Sequence, residues 1–140
     1  MKKTIWFLAP LPLAMVALAA TASRSISDGI FTAEQIARGK KSYEISCADC
    51  HGENLEGDGK KSPPLKGEAF FKEWTRKSVH KLIDQTWRTM PPEDPRTLSK
   101  ALCADVTAFI LAENGFPTGK TELTADTPDL RQILIRAPKK

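Results

Sequence analysis

The pentapeptide Cys47-Ala48-Asp49-Cys50-His51 constrains this chain more than any other stretch. Two cysteines separated by two residues and followed at once by a histidine are typical of c-type haem attachment. In that chemistry both thiols bond to vinyl groups of the porphyrin, and the histidine offers an imidazole nitrogen to the iron. The motif predicts one covalently attached haem c, held by Cys47 and Cys50, with His51 as an iron ligand. The same spacing leaves a dithiol redox site or a zinc site as alternatives.

The first 22 residues have the layout of a secretory signal peptide. Lys2 and Lys3 precede an apolar stretch that begins at Ile5, and the small residues Ala20-Thr21-Ala22 end it. We expect cleavage after Ala22 and export to the periplasm, because covalent haem attachment and an oxidising compartment both belong outside the cytoplasm. An uncleaved membrane anchor is the alternative, since the stretch is close to the shortest length that spans a bilayer.

The remaining residues are enough for one domain. We assign 23–31 to an N-terminal tail, 32–117 to the haem-binding domain and 118–140 to a C-terminal extension packed on it. Helix-opening signals occur at Thr32, Ser78 and Ser99, and no convincing strand is visible, which predicts an all-α fold. Gly39 lies inside the first helix, where another helix approaching closely would explain it.

The charge balance indicates no nucleic-acid partner. Without residues 1–22 the chain has 19 Lys and Arg against 17 Asp and Glu, a net charge of +2, and it shows no basic stripe with interleaved aromatic residues. We expect redox proteins as partners, with the chain itself monomeric. Contact with a membrane is expected only if the signal segment stays uncleaved.

Few residues can ligate the iron from the side opposite His51. Met90 is the only methionine outside the signal segment, and His80 is the only other histidine. Met90 is predicted as the sixth ligand, because Pro91-Pro92 stiffens the chain just after it, while His80 lies on the polar side of its helix. A histidine and methionine pair raises the reduction potential and closes the position that oxygen or peroxide would need.

The segment from Gly52 to Gly67 is rich in glycine and proline, which predicts a loop that wraps a prosthetic group. Pro63-Pro64-Leu65 is a rigid piece of that loop. It could bring a backbone carbonyl to the second ring nitrogen of His51 and so fix the orientation of the imidazole.

With its motifs in this order, the chain resembles the class I cytochromes c over residues 32–117. The resemblance implies helices wrapped around one covalently bound haem. It matches Gly39 and Tyr43 to the positions where the first helix of that family crosses the last, with Val106 and Phe109 as their counterparts. It also matches Pro63 to the proline whose carbonyl accepts a hydrogen bond from the iron-ligating histidine.

Three shorter stretches resemble the small bacterial cytochromes that accompany quinone-cofactor alcohol dehydrogenases: residues 63–67, 89–92 and 114–117. The implied function is electron transfer without bond chemistry, from a dehydrogenase or respiratory complex to an oxidase or another cytochrome. Two alternatives are an obligate haem subunit of a periplasmic dehydrogenase, and a haem enzyme or gas sensor whose sixth ligand is displaced.

Four further side chains complete the expectations. Trp74, Arg76 and Arg88 are candidates to hold the haem propionates, the first through its indole N–H and the arginines through their guanidinium groups. Cys103 is the third cysteine and lies on or beside the apolar stripe of a helix, which predicts a buried, inert thiol. A reactive thiol or an intermolecular disulfide is the alternative.

Overall fold

The computed structural model describes residues 24–138. Within them five α-helices follow one another, with short 3₁₀ segments at Ile26–Asp28 and Pro128–Arg131. The helices are α1 (Ala33–Ser46), α2 (Ala48–His51), α3 (Gly67–Trp74), α4 (Val79–Thr89) and α5 (Lys100–Glu113). Helices and loops account for this whole span, and its only β-type pairing is an isolated bridge between Ser78 and Leu134. The prediction of an all-α fold is confirmed.

The first helix begins where its sequence indicates, but only one of the two side-chain bonds of a capping box forms there. The Thr32 side chain accepts a hydrogen bond from the Gln35 N–H at 3.2 Å. The Gln35 side chain does not return to Thr32. Its amide instead donates to the Leu123 carbonyl at 2.7 Å and accepts from the Leu123 N–H at 2.8 Å. Gln35 therefore ties α1 to the C-terminal extension, and no sequence signal for a helix start reports that role.

Helices α1 and α5 cross in close contact at Gly39. A Cβ atom on Gly39 would lie 1.9 Å from the Asp105 carbonyl oxygen, so only glycine allows this approach. One turn further along α1, the Tyr43 ring meets the Phe109 ring with 5.3 Å between centroids. The crossing predicted for Gly39, Tyr43 and Phe109 is present, and it sets the direction in which α1 runs into the Cys47–His51 motif.

Both ends of the described chain contribute to the core. Ile26, Ile30 and Phe31 are buried, although the sequence suggested a tail for residues 23–31. Their segment meets the C-terminal extension at Gly119, whose N–H donates to the Phe31 carbonyl at 2.7 Å. A Cβ atom on Gly119 would lie 1.9 Å from the Gly29 carbonyl oxygen. The two segments thus lie backbone against backbone.

The C-terminal extension also holds the start of α4. Ile133 and Ile135 are buried, and the Ile133 carbonyl accepts the Val79 N–H at 2.9 Å. That N–H has no partner within its own helix, because the first four N–H groups of any α-helix lack one. The extension therefore positions the helix that ends at Met90.

The predicted signal segment, residues 1–22, lies outside the described residues. Between residues 24 and 138, none of the helices is long and apolar enough to cross a membrane.

Candidate haem-binding site

One turn of backbone brings the two cysteines and the histidine of the motif together. Cys47 ends α1, where its N–H donates to the Tyr43 carbonyl at 2.9 Å. Its own carbonyl then accepts the His51 N–H at 2.9 Å, which closes the short helix α2. Cys47 is half-buried and Cys50 is exposed, and both thiols are free. The side chains of the motif therefore extend from a single helical turn.

The His51 ring is buried and oriented. Its exposed fraction is 7%, and Nδ1 lies 2.9 Å from the Pro63 carbonyl oxygen. A carbonyl only accepts hydrogen bonds, so Nδ1 carries the proton and Nε2 keeps its lone pair. An imidazole in this tautomer is ready to ligate a metal through Nε2.

The loop after His51 is stabilised by hydrogen bonds between its own residues. Gly52 has the left-handed φ of +80° that lets the chain leave α2, and the Gly57 N–H donates back to the His51 carbonyl at 2.7 Å. Further on, one Asp58 carboxylate oxygen accepts three backbone N–H groups, from Lys60, Lys61 and Ser62. These bonds, that of Lys60 first, hold the pKa of Asp58 below its usual value. The loop reaches Pro63 as a fixed turn.

Two polar side chains that the sequence did not single out for this loop anchor it to the helices. The Tyr43 hydroxyl donates to the Gly52 carbonyl at 2.7 Å. Asn114, at the end of α5, accepts the Gly67 N–H and donates to the Leu65 carbonyl, both at 2.9 Å. From sequence alone, Asn114 is placed only in the stretch 114–117 that resembles bacterial cytochromes, and Tyr43 only at the crossing of two helices. Each anchors the backbone near His51 or Pro63.

Met90 lies at the end of α4 in an extended conformation, as expected for a residue before proline. Its N–H donates to the Thr86 carbonyl at 3.0 Å, and its side chain is half-buried. The exposed residues Pro92 to Thr97 follow. The thioether is thus carried by a helix end and an exposed loop.

The three propionate candidates have different surroundings. Trp74 is buried, and its ring stacks on Phe70 with 6.4 Å between centroids. Arg76 is exposed in the turn before α4. Arg88 pairs with Asp84 at 2.7 Å, which already occupies part of its guanidinium group. Only Trp74 and Arg76 share one turn of the chain.

Burial keeps the Cys47 and Cys103 thiols protonated at neutral pH, because it raises the pKa of each. Burial, followed by the charges of Cys103 and Cys50, raises the pKa of Cys47 to about 11. Burial alone raises the pKa of Cys103 to about 11. Cys103 is fully buried in α5, as predicted.

The donor set fits a covalently attached haem. It offers two thiols for thioether bonds and an imidazole whose Nε2 can reach iron, all on one turn of chain. The zinc alternative would need further ligands beside the motif. No group of three or more His, Cys, Asp or Glu side chains suited to a metal ion occurs between residues 24 and 138.

Comparisons with known proteins agree with this geometry. Among solved structures, the chain is similar to one in the crystal structure of the sulfane dehydrogenase SoxCD from Paracoccus pantotrophus, with a TM-score of 0.53. The two are 24% identical, over 95% of this chain and 68% of that one, a likeness that concerns the fold alone. A search of curated proteins found no match.

A protein-family model gives the family itself. The model described as cytochrome c oxidase, cbb3-type, subunit III matches residues 34–110, more than half of the chain. The matched span includes the motif Cys47–His51. The chain therefore belongs to the cbb3-type cytochrome c oxidase subunit III family: it is a class I c-type cytochrome that binds haem c covalently and transfers electrons.

Proposed function

We propose that this chain is an exported monohaem carrier of single electrons, with His51 and Met90 as the two axial ligands of the iron. The observation that carries the proposal is the 2.9 Å contact between His51 Nδ1 and the Pro63 carbonyl. That bond fixes the tautomer and the plane of a buried imidazole, which is what a permanent iron ligand requires. Cys47 and Cys50 would hold the porphyrin through thioether bonds.

Met90 supports the closed, six-coordinate form of the site. It is the only methionine after residue 22, and it ends α4 with its side chain half-buried. A thioether favours ferrous iron, so a His51 and Met90 pair would give the raised potential that suits acceptance of electrons from a dehydrogenase. With both axial positions filled, the protein would carry electrons and perform no bond chemistry.

The propionates would be held by Trp74 and Arg76, with Arg88 as a further candidate. The Trp74 indole N–H is a donor on a buried ring, and Arg76 lies two residues further along the same turn. Arg88 would have to share its guanidinium group with Asp84. Charge-assisted bonds of this kind are about twice as strong as neutral ones.

The partners would be an acidic dehydrogenase or respiratory complex as donor, and an oxidase or another cytochrome as acceptor. Lys60, Lys61 and Lys72 are exposed. Lys66 is exposed too but pairs with Glu113, and Lys77 pairs with Glu73. Lys60, Lys61 and Lys72 could steer an acidic partner, and such steering weakens as salt concentration rises.

Replacement of Met90 tests the proposal. In protein produced by a host that exports and loads c-type haem, Met90→Ala should remove the thioether-to-iron absorption. It should also lower the reduction potential by on the order of 0.1 V, because axial ligands tune haem potentials over roughly 0.8 V. Leu98→Ala is the control, since it removes a half-buried side chain from the same segment without touching sulfur. An unchanged potential and absorption in Met90→Ala would exclude Met90 as a ligand.

Export is tested by the N-terminus of the mature protein. Sequencing of the haem-loaded protein from the periplasmic fraction should begin at Ser23. A product that keeps residues 1–22 and sediments with membranes would establish the anchored form instead.

A further inference from the structure

The hydroxyl of Tyr43 has a role separate from that of its ring. The ring is buried and packs on Phe109 at the crossing of α1 and α5. A phenylalanine would make the same contact, because that packing uses no polar atom. The hydroxyl instead donates to the Gly52 carbonyl at 2.7 Å, across the turn that contains Cys47 and His51.

Gly52 is the residue through which the chain leaves His51. Its N–H donates to the Ala48 carbonyl at 2.8 Å, and its φ of +80° turns the backbone away from α2. Its carbonyl also accepts the Leu55 N–H, but at 3.3 Å. The 2.7 Å bond from Tyr43 is therefore the shorter of the two bonds on this oxygen, and it fixes the peptide plane between Gly52 and Glu53, one residue beyond His51.

The Pro63 bond and the Tyr43 bond constrain different parts of His51. Pro63 accepts from Nδ1 and limits rotation of the ring about its side-chain bonds. Tyr43 acts on the backbone that carries the ring, because the residue it holds is the immediate neighbour of His51 in the chain. A loop fixed only through Pro63 could still shift as a body and carry the imidazole with it.

We propose that Tyr43 is a positioning residue for the iron-ligating histidine: its hydroxyl holds the Gly52 carbonyl and so sets the angle at which His51 meets the haem. The proposal rests on the proposed function, in which His51 is a permanent axial ligand. It predicts that loss of one oxygen atom, 2.7 Å from a carbonyl, changes the electronic structure of the iron without removing any ligand.

Tyr43→Phe in the haem-loaded protein is the test. The NMR shifts of the haem methyl groups in the ferric form report the orientation of the axial imidazole. We expect their order or spread to differ from the wild type. We also expect the Leu55 and Gly57 amides to exchange about five to ten times faster, because a net hydrogen bond contributes roughly 1 kcal/mol. The exchange measurement does not depend on electron-transfer activity.

Thr107→Val is the matched control. Thr107 is buried in α5, and its hydroxyl donates to the Cys103 carbonyl at 2.8 Å, so the variant also loses one buried hydroxyl bond. It should keep the wild-type haem methyl shifts and the wild-type exchange at Leu55 and Gly57. If Tyr43→Phe leaves both measurements unchanged, or if Thr107→Val reproduces its changes, the positioning role of Tyr43 is excluded.

The two proposals fail in distinguishable ways. Wild-type protein without the signature of an imidazole and a thioether on iron would contradict the proposed function, whatever Tyr43 does. A wild type with that signature, together with a Tyr43→Phe variant identical to it, would contradict the Tyr43 proposal alone.

Discussion

The two segments proposed to supply iron ligands are held in different ways. On the His51 side, Tyr43 and Asn114 reach from α1 and from the end of α5 to bond loop carbonyls, and Pro63 fixes the ring. On the Met90 side, bonds are local: the Asp94 N–H donates to the Pro91 carbonyl and the Thr97 hydroxyl to the Asp94 carbonyl. Local opening costs least where a segment has few long-range bonds and little burial. We therefore infer that the Met90 segment is the one that opens first.

If His51 and Met90 ligate the iron as proposed, the difference between the sides would also separate permanent from exchangeable ligation. In the proposed site, His51 would keep its place while the iron changes oxidation state, because Pro63 holds its ring and Tyr43 and Asn114 hold its loop. A methionine on a locally bonded loop depends more on the iron bond itself. The alternative of a gas sensor or haem enzyme with a displaced sixth ligand would use the Met90 side, and carbon monoxide failing to bind the reduced protein would count against it.

The largest effect that separates the two sides is expected from Asn114→Ala. The variant loses the bonds to Gly67, Leu65 and Ile110 at a residue that is 7% exposed. Unpaired buried groups of this kind cost about 2–3 kcal/mol. Thr97→Ala on the Met90 side loses one exposed bond and should stay within about 0.5 kcal/mol of the wild type. Denaturant unfolding of the ferric holoprotein measures both.

Equal free energies of unfolding for Asn114→Ala and Thr97→Ala would remove the distinction between the sides. A large loss in Thr97→Ala alone would reverse it, since the Met90 loop would then be the better anchored segment.

The sequence predicts the parts of this molecule that depend on neighbours in the chain. Thr32, Ser78 and Ser99 each open a helix by accepting the N–H three residues later, as expected from the sequence. Such bonds close within one turn, so residue type and position are enough to predict them. The close crossing at Gly39 could also be predicted from residue type and position, because glycine inside a helix is unfavourable without a packing role.

The remaining bonds join residues far apart in the chain. Asn114 bonds Leu65 over 49 residues, and Gln35 bonds Leu123 over 88. An amide side chain has several donors and acceptors, and only the folded chain decides which partner it meets. The Gln35 side chain bonds the backbone of Leu123 and not its local partner, Thr32. The Tyr43 bond spans only nine residues, yet it depends on the left-handed turn at Gly52, which the sequence does not specify.

A smaller effect is expected when the pH is lowered. It concerns the Asp58 turn in the loop after His51. Backbone N–H groups, that of Lys60 first, hold the pKa of Asp58 below its usual 3.8. A carboxyl whose folded pKa is lowered stabilises the fold above its unfolded pKa, and that contribution disappears as pH falls through the folded value. Below about pH 3.8 we therefore expect the Lys61 and Ser62 amides to lose protection from exchange.

Asp58→Asn should abolish that acid step, because the amide keeps an acceptor oxygen but does not titrate. Asp94→Asn is the control in the Met90 segment, where no hydrogen bond to the Asp94 carboxylate occurs within residues 24–138. An acid step that survives in Asp58→Asn would assign the loosening to other carboxyl groups.

The smallest expected effect concerns Cys103, whose thiol can report which side opens. It is fully buried, and burial raises its pKa to about 11. At pH 8 roughly one thiol in a thousand would be ionised, so alkylation of the folded holoprotein should be slow and limited by opening. Because Asn114 ends the helix that carries Cys103, Asn114→Ala should speed labelling at least about tenfold, while Thr97→Ala should stay within about twofold. Mass spectrometry of time points from the alkylated protein gives both rates.

Equal rates in the two variants would mean that α5 opens without regard to Asn114. The His51 side would then owe its rigidity to Tyr43 and Pro63 alone.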